Sequence, residues 1–156
     1  MRLPELMISW LLTVQGSKLL SVNALFHIFA SERNSSPQEV GLQFDDAELG
    51  KLYCGSDGAS LCISLDPIVD CDLGEYGRQD VFCISDEPCF SNVMGRRLVS
   101  ASLVQSSVEE AVIGIALSFD NGARLSILNL GDELFFYGEI PEEIMISEGL
   151  GFILVN

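Results

Sequence analysis

Residues 117–134 read LSFDNGARLSILNLGDEL, and residues 42–61 read LQFDDAELGKLYCGSDGASL. The second stretch is a blurred copy of the first, and a chain that repeats itself folds as two copies of one unit. Val40, Leu42 and Phe44 align with Ile115, Leu117 and Phe119 at a constant offset of 75. Asp45 falls on Asp120, the first copy then carries two extra turn residues, and beyond them Lys51, Leu52 and Cys54 fall on Arg124, Leu125 and Ile127. Upstream, GSKLLSVNAL resembles GRRLVSASLV at an offset of 79, setting Leu20, Val22 and Ala24 against Val99, Ala101 and Leu103. Each offset changes where a loop belongs, and the inside–outside phase survives every change. A slip of one residue would turn each side chain to the wrong face.

The units themselves read as antiparallel meanders. Ile113, Ile115, Leu117 and Phe119 alternate with Gly114, Ala116 and Ser118, the two-residue period of a half-buried strand. Asn121-Gly122 then suits a two-residue type I′ hairpin. Strands are expected at 17–28 and 96–105 ahead of each meander. The fold class is therefore mainly β (α+β): two tandem antiparallel β-meander repeats forming one sheet or a sandwich, with a short N-terminal helix. Residues 1–156 are read as a single domain, with repeats at about 16–65 and 95–140 and an acidic connector at 66–94. The helix is expected over residues 4–14, docking Leu6, Trp10 and Val14 or their neighbours; Pro4 and Glu5 interrupt what would otherwise imitate a secretory leader. At the other end Pro141 opens a short helix, and GFILVN reads as a buried final strand.

Charge narrows the function. Twenty-three acidic residues against eight basic ones leave a net of −15. Such a surface repels nucleic-acid phosphates and anionic membranes, and it attracts a basic protein. Plain solubility is the competing account of the acidity. The five cysteines stand at irregular spacings without a CxxC pair, and His27 is the only imidazole. They read as small buried hydrophobes in a reducing cytoplasm, with neither a disulfide framework nor a metal site, and no cofactor is expected. His27 lies on the mixed face of its strand, with Ser21 and Asn23, as an ordinary surface residue. No P-loop, GxGxxG or GxSxG occurs, so the chain is read as no enzyme.

The connector and the tail have no counterpart in the repeat, and function often lives in such additions. The connector holds Asp66, Asp70, Asp72, Glu75, Asp86 and Glu87 as charge, with Tyr76 and Phe90 as aromatic anchors and Arg78 its only base. A solvated linker is the bland alternative. The hairpin GIALSFDNGARLSILNLGDEL, within a small acidic β-rich chain, resembles the immunity proteins of bacterial polymorphic toxin and contact-dependent growth inhibition systems. The resemblance implies a non-catalytic cytoplasmic protein, monomer or homodimer, that neutralises a basic toxin domain, such as a nuclease, by covering its active site or substrate groove. A structural or adaptor module that self-associates through its sheet, with no toxin partner, is the alternative. An enzyme or small-ligand binder with its pocket between the repeats is a third reading.

Overall fold

A computed structural model describes residues 2–156. Helix α1 (Glu5–Val14) buries Met7, Trp10, Leu11 and Val14, a stripe at helical spacing. Leu6 was expected on that face and lies outside it, 47% exposed, because the stripe through residues 7, 10, 11 and 14 faces the core. The Trp10 ring meets Phe44 edge to face, and its Nε1 donates to the Glu48 carbonyl at 3.1 Å, so the indole is buried with its one donor satisfied.

Strands β1 (Leu19–Phe29), β2 (Glu32–Arg33), β3 (Glu39–Phe44), β4 (Gly50–Cys54), β5 (Leu61–Ser64), β6 (Cys71–Asp72) and β7 (Arg78–Cys83) form one antiparallel sheet. Its order is β5-β4-β3-β1-β7-β6, with β2 folded onto the end of β1. Helix α2 (Pro88–Ser91) leads to β8 (Leu98–Ser106), β9 (Ala111–Phe119), β10 (Arg124–Asn129) and β11 (Leu134–Tyr137), then α3 (Glu142–Ser147) and β12 (Leu150–Val155). This second sheet runs β11-β10-β9-β8-β12. Val22, Ala24, Leu42 and Leu52 of the first sheet join Ala101, Leu103, Leu117 and Ile127 of the second in a single core cluster. The alternating apolar faces thus bury each other, and of the two arrangements open to paired meanders the sandwich is the one adopted.

Register carries the repeat into three dimensions. The β1–β3 ladder slips between Leu19 and Ser21, and the β8–β9 ladder slips between Leu98 and Ser100, the same positions at an offset of 79. Asp45 N–H donates to the Lys18 carbonyl at 2.9 Å, and Asp120 N–H to the Arg97 carbonyl at 3.0 Å. Leu11 and Val14 of α1 are matched at the same offset by Phe90 and Val93, and all four are fully buried.

The segments outside the meanders depart from expectation. The connector supplies β7, which lies antiparallel beside β1, and the tail supplies β12, which lies antiparallel beside β8. Each therefore adds the fifth strand at the same place in its sheet. The turns also differ from the sequence reading. Of Asn121-Gly122 only the glycine has positive φ, at 82°, and Gly122 N–H donates back to the Phe119 carbonyl at 3.0 Å. That is a turn closed by one left-handed residue rather than a type I′ pair. The turn with positive φ at both central residues is Ala30-Ser31, at 52° and 67°, where β1 meets β2. Neither residue suits that conformation, which costs an L-residue about 1–2 kcal/mol. Replacing Ala30-Ser31 with Asn-Gly should therefore raise stability by about 1 kcal/mol, read as a higher urea midpoint with an unchanged slope.

Candidate partner-binding face

A tight chain reversal between β6 and β7 builds the most exposed aromatic-and-acidic feature of the connector. Residues Gly74–Tyr76 form a single 3-10 turn, and Asp72 Oδ1 accepts the Gly74 N–H at 2.8 Å to close it. Gly77 follows with φ 93°, and a Cβ there would collide with the Ile28 carbonyl oxygen, so the turn is pressed against the end of β1. His27, opposite Gln79 in the ladder, donates from Nε2 to the Tyr76 carbonyl at 2.7 Å. Its expected place on the mixed face holds, and it anchors the turn from beneath. Tyr76 is left 69% exposed and Phe29, at the adjoining end of β1, 57% exposed.

Carboxylates stand on and around the same reversal as Tyr76. Asp70, Asp72 and Asp80 line a shallow hollow of about 420 Å³ together with Cys71, Gly74, Gly77 and Arg78. Asp70 Oδ1 accepts the Val81 N–H at 2.8 Å, and Arg78 Nε donates to Asp80 Oδ2 at 2.8 Å. Glu75 stands exposed on the turn itself. Arg33 does not neutralise the group, because its guanidinium lies over the Phe26 and Phe82 rings at 4.1 and 4.9 Å. Among the described residues, no three His, Cys, Asp or Glu side chains converge as a metal site.

The structure divides the residues read from the sequence. Asp70, Asp72, Glu75 and Tyr76 come together. Asp86 and Glu87 lie past the opposite end of β7, about 17 Å along a strand of that length. Asp66 follows β5, the far edge of the same sheet, where its carboxylate accepts from Ser64 Oγ at 3.1 Å. Phe90 is the clear correction. It is fully buried and packs edge to face on Phe136 at 5.1 Å, so it is a core residue and no partner can reach it. Asp80 joins them through the shared hollow, whereas Phe29, exposed nearby, points to the opposite face of the sheet from Asp72 and Asp80. Phe29 ends an alternating strand and reads there as one more sheet residue; its exposure comes from the reversal at Ala30-Ser31, a pair that carries no turn signature. The cysteines are corrected as well: Cys71 and Cys83 are exposed, whereas Cys54, Cys62 and Cys89 are half-buried. Burial, reinforced by Asp132, pushes the Cys54 thiol up to about 11.

Comparison with protein-family models, with curated proteins and with solved structures returns no match.

Two measurements follow from these placements. Phe90→Ala should cost about 3–5 kcal/mol of stability, and Tyr76→Ala should stay within about 0.5 kcal/mol, in parallel chemical melts. The second concerns Asp57, whose carboxylate accepts from Ser60 Oγ at 2.6 Å and from the Ser60 and Ala59 amides at 2.8 and 3.0 Å. Those bonds, led by the Ser60 hydroxyl, hold its pKa down to about 2. The folded pKa is depressed, so this turn's contribution to stability is present above the ordinary carboxylate range and is lost as pH falls towards 2. A carbon-detected NMR titration should place the Asp57 midpoint near 2, and Ser60→Ala should raise it.

Proposed function

We propose that this is a non-catalytic acidic binding protein that neutralises a basic toxin domain by direct contact, covering its active site or substrate groove. One observation carries the reading: Tyr76 stands exposed on the reversal that carries Asp72 and Glu75, with Asp70 just ahead of it, while the connector's one base, Arg78, is already tied to Asp80. An exposed aromatic ring among carboxylates that no Lys or Arg neutralises matches the anchor-and-rim form of a charge-steered interface. The net charge of −15 extends the attraction beyond the contact itself, favouring fast capture of a cationic partner. A nuclease is the toxin class that fits best, because its substrate groove is built to hold phosphates and would accept a row of carboxylates in their place. The same reading takes residues 1–156 as one domain acting in the cytoplasm. No described helix is long and apolar enough to cross a membrane.

The test is calorimetric titration against the basic toxin domain encoded beside the gene, at about 0.05 and 0.3 M salt. Binding should weaken at the higher salt yet persist. The variant Asp72→Asn/Glu75→Gln/Tyr76→Ala should bind at least about 30-fold more weakly, equivalent to roughly 2 kcal/mol. Full-strength binding by that variant would move the contact elsewhere, and no binding by the parent chain would end the toxin reading.

A further inference from the structure

The two sheets end differently at equivalent edges. Cys83 pairs with Asn23 in the first sheet, and Ser102, the counterpart of Asn23, pairs with Leu154 in the second. The same register carries Val81 to Phe152 and Ile84 to Val155. Ile84 and Val155 are both buried, at 2% and 4% exposure, so the correspondence extends to packing.

Outside β7 the chain lays a further strand. β6 pairs antiparallel with it through Cys71–Gln79 and Asp72–Arg78, and Asp70 takes up the Val81 amide. Outside β12 no further strand is laid among the described residues. The Val81 N–H points away from β1, as its bond to Asp70 requires, so the matching register turns the Phe152 amide away from β8. Two residues on, the Leu154 amide faces the same way. The side chains of Phe152 and Leu154 are 47% and 58% exposed. LGFILV contains no charge and no proline, the devices that normally blunt a free sheet edge.

Charge beside this edge indicates what would cover it. Glu142 and Glu143 stand exposed on α3, which packs against β12. At the same end of the strand, Glu109 and Glu110 are exposed in the turn after β8, which Ser107 ties to the start of β12 by donating its N–H to the Glu148 and Gly149 carbonyls at 3.1 and 3.2 Å.

We propose that β12 accepts an extended segment of a partner protein by strand addition. The segment carries apolar side chains at alternate positions, to lie on Phe152 and Leu154, and basic ones that reach the flanking carboxylates. The first sheet contains its own instance of the pairing, since β6 occupies the equivalent edge of β7 in the antiparallel sense. A second copy of this chain is the poorer occupant, because it would bring a further −15 of charge to an edge already flanked by carboxylates. This surface belongs to the second sheet and is independent of the face around Tyr76, so either can fail without the other.

The probe is an acetylated, amidated peptide of alternating lysine and valine, seven residues long by design, added to the ¹⁵N-labelled full-length chain. Exchange of the Phe152 and Leu154 amides should slow by about ten-fold or more at saturation, and less so at high salt. Leu154→Pro removes an outward amide while leaving the β8 ladder its own bonds, and should abolish the protection. Glu142→Lys/Glu143→Lys leaves the strand untouched and should weaken peptide binding several-fold. Unchanged β12 amides at millimolar peptide, or protection centred on residues 70–80, would overturn the proposal. So would a dimer of the parent chain whose β12 amides are already protected and are released by Leu154→Pro, for the edge would then belong to a second copy.

Discussion

Four main-chain hydrogen bonds at one place hold this architecture in register. Gly16 N–H donates to the Leu98 carbonyl at 2.8 Å and Gly95 N–H to the Leu19 carbonyl at 2.8 Å; Leu98 N–H reaches Ser17 at 2.9 Å and Leu19 N–H reaches Arg96 at 3.1 Å. Raising the lower-numbered member of each pair by 79 and lowering the higher-numbered one by 79 gives another pair of the set, so exchanging the two units maps the set onto itself, as at an isologous interface. Lys18 and Arg97 form the antiparallel bridge at its centre. Immediately beyond, each strand bulges, leaving Leu20 and Val99 exposed at 56% and 61% while Leu19 and Leu98 are buried. A bulge bends its strand and increases its twist. Here the bends let β1 and β8 touch at their starts and then run in separate sheets, with one core between them.

That seam also accounts for the helices. A sandwich of a seven-stranded and a five-stranded sheet has open sides, and the residues preceding each first strand of the repeat lie beside them. α1 packs against β5 and β12 through its buried stripe, and Gln15 Nε2 caps the Val155 carbonyl at 3.0 Å. The shorter α2 presents Phe90 to Phe136 of β11. Leu11 and Phe90 are thus equivalent plugs of different size, and the sequence around Phe90 misleads for that reason. An aromatic in an acidic stretch looks like an anchor, yet its offset of 79 from Leu11 already marks it as core.

The fold was more legible in the sequence than the candidate face, and the cause is physical. Alternation of Ile113, Ile115, Leu117 and Phe119 reports a strand with one buried side regardless of its neighbours, so the meanders and their phase could be read directly. Connector residues carry no such period. Asp70, Asp72, Glu75 and Tyr76 meet because β6 is only two residues long and the chain reverses through a single 3-10 turn. Asp66 and Asp86 are equally acidic but are carried off by strand order and strand length, which composition does not encode. Phe29 was illegible for the opposite reason, since it continues a good strand pattern and gains exposure from an unsignalled reversal.

The last strand shows the same limit more sharply. GFILVN has the composition of a core strand, and the expectation that it is buried follows from composition alone. Yet β12 buries only Val155 completely, because burial of a strand depends on what flanks it in the sheet. β7 is no more apolar than β12, but the chain between β5 and β7 spends residues on β6 and so covers its edge. The corresponding stretch between β11 and β12 spends its residues on α3. Ile140 and Ile144 there help to bury Val104 and Leu128 on the outer face of the second sheet. The two units thus use one connection for two purposes, edge cover in the first and face cover in the second. An uncovered, uncharged edge is the consequence of that choice, and it places the second sheet's unused pairing capacity along the outward amides of Phe152 and Leu154.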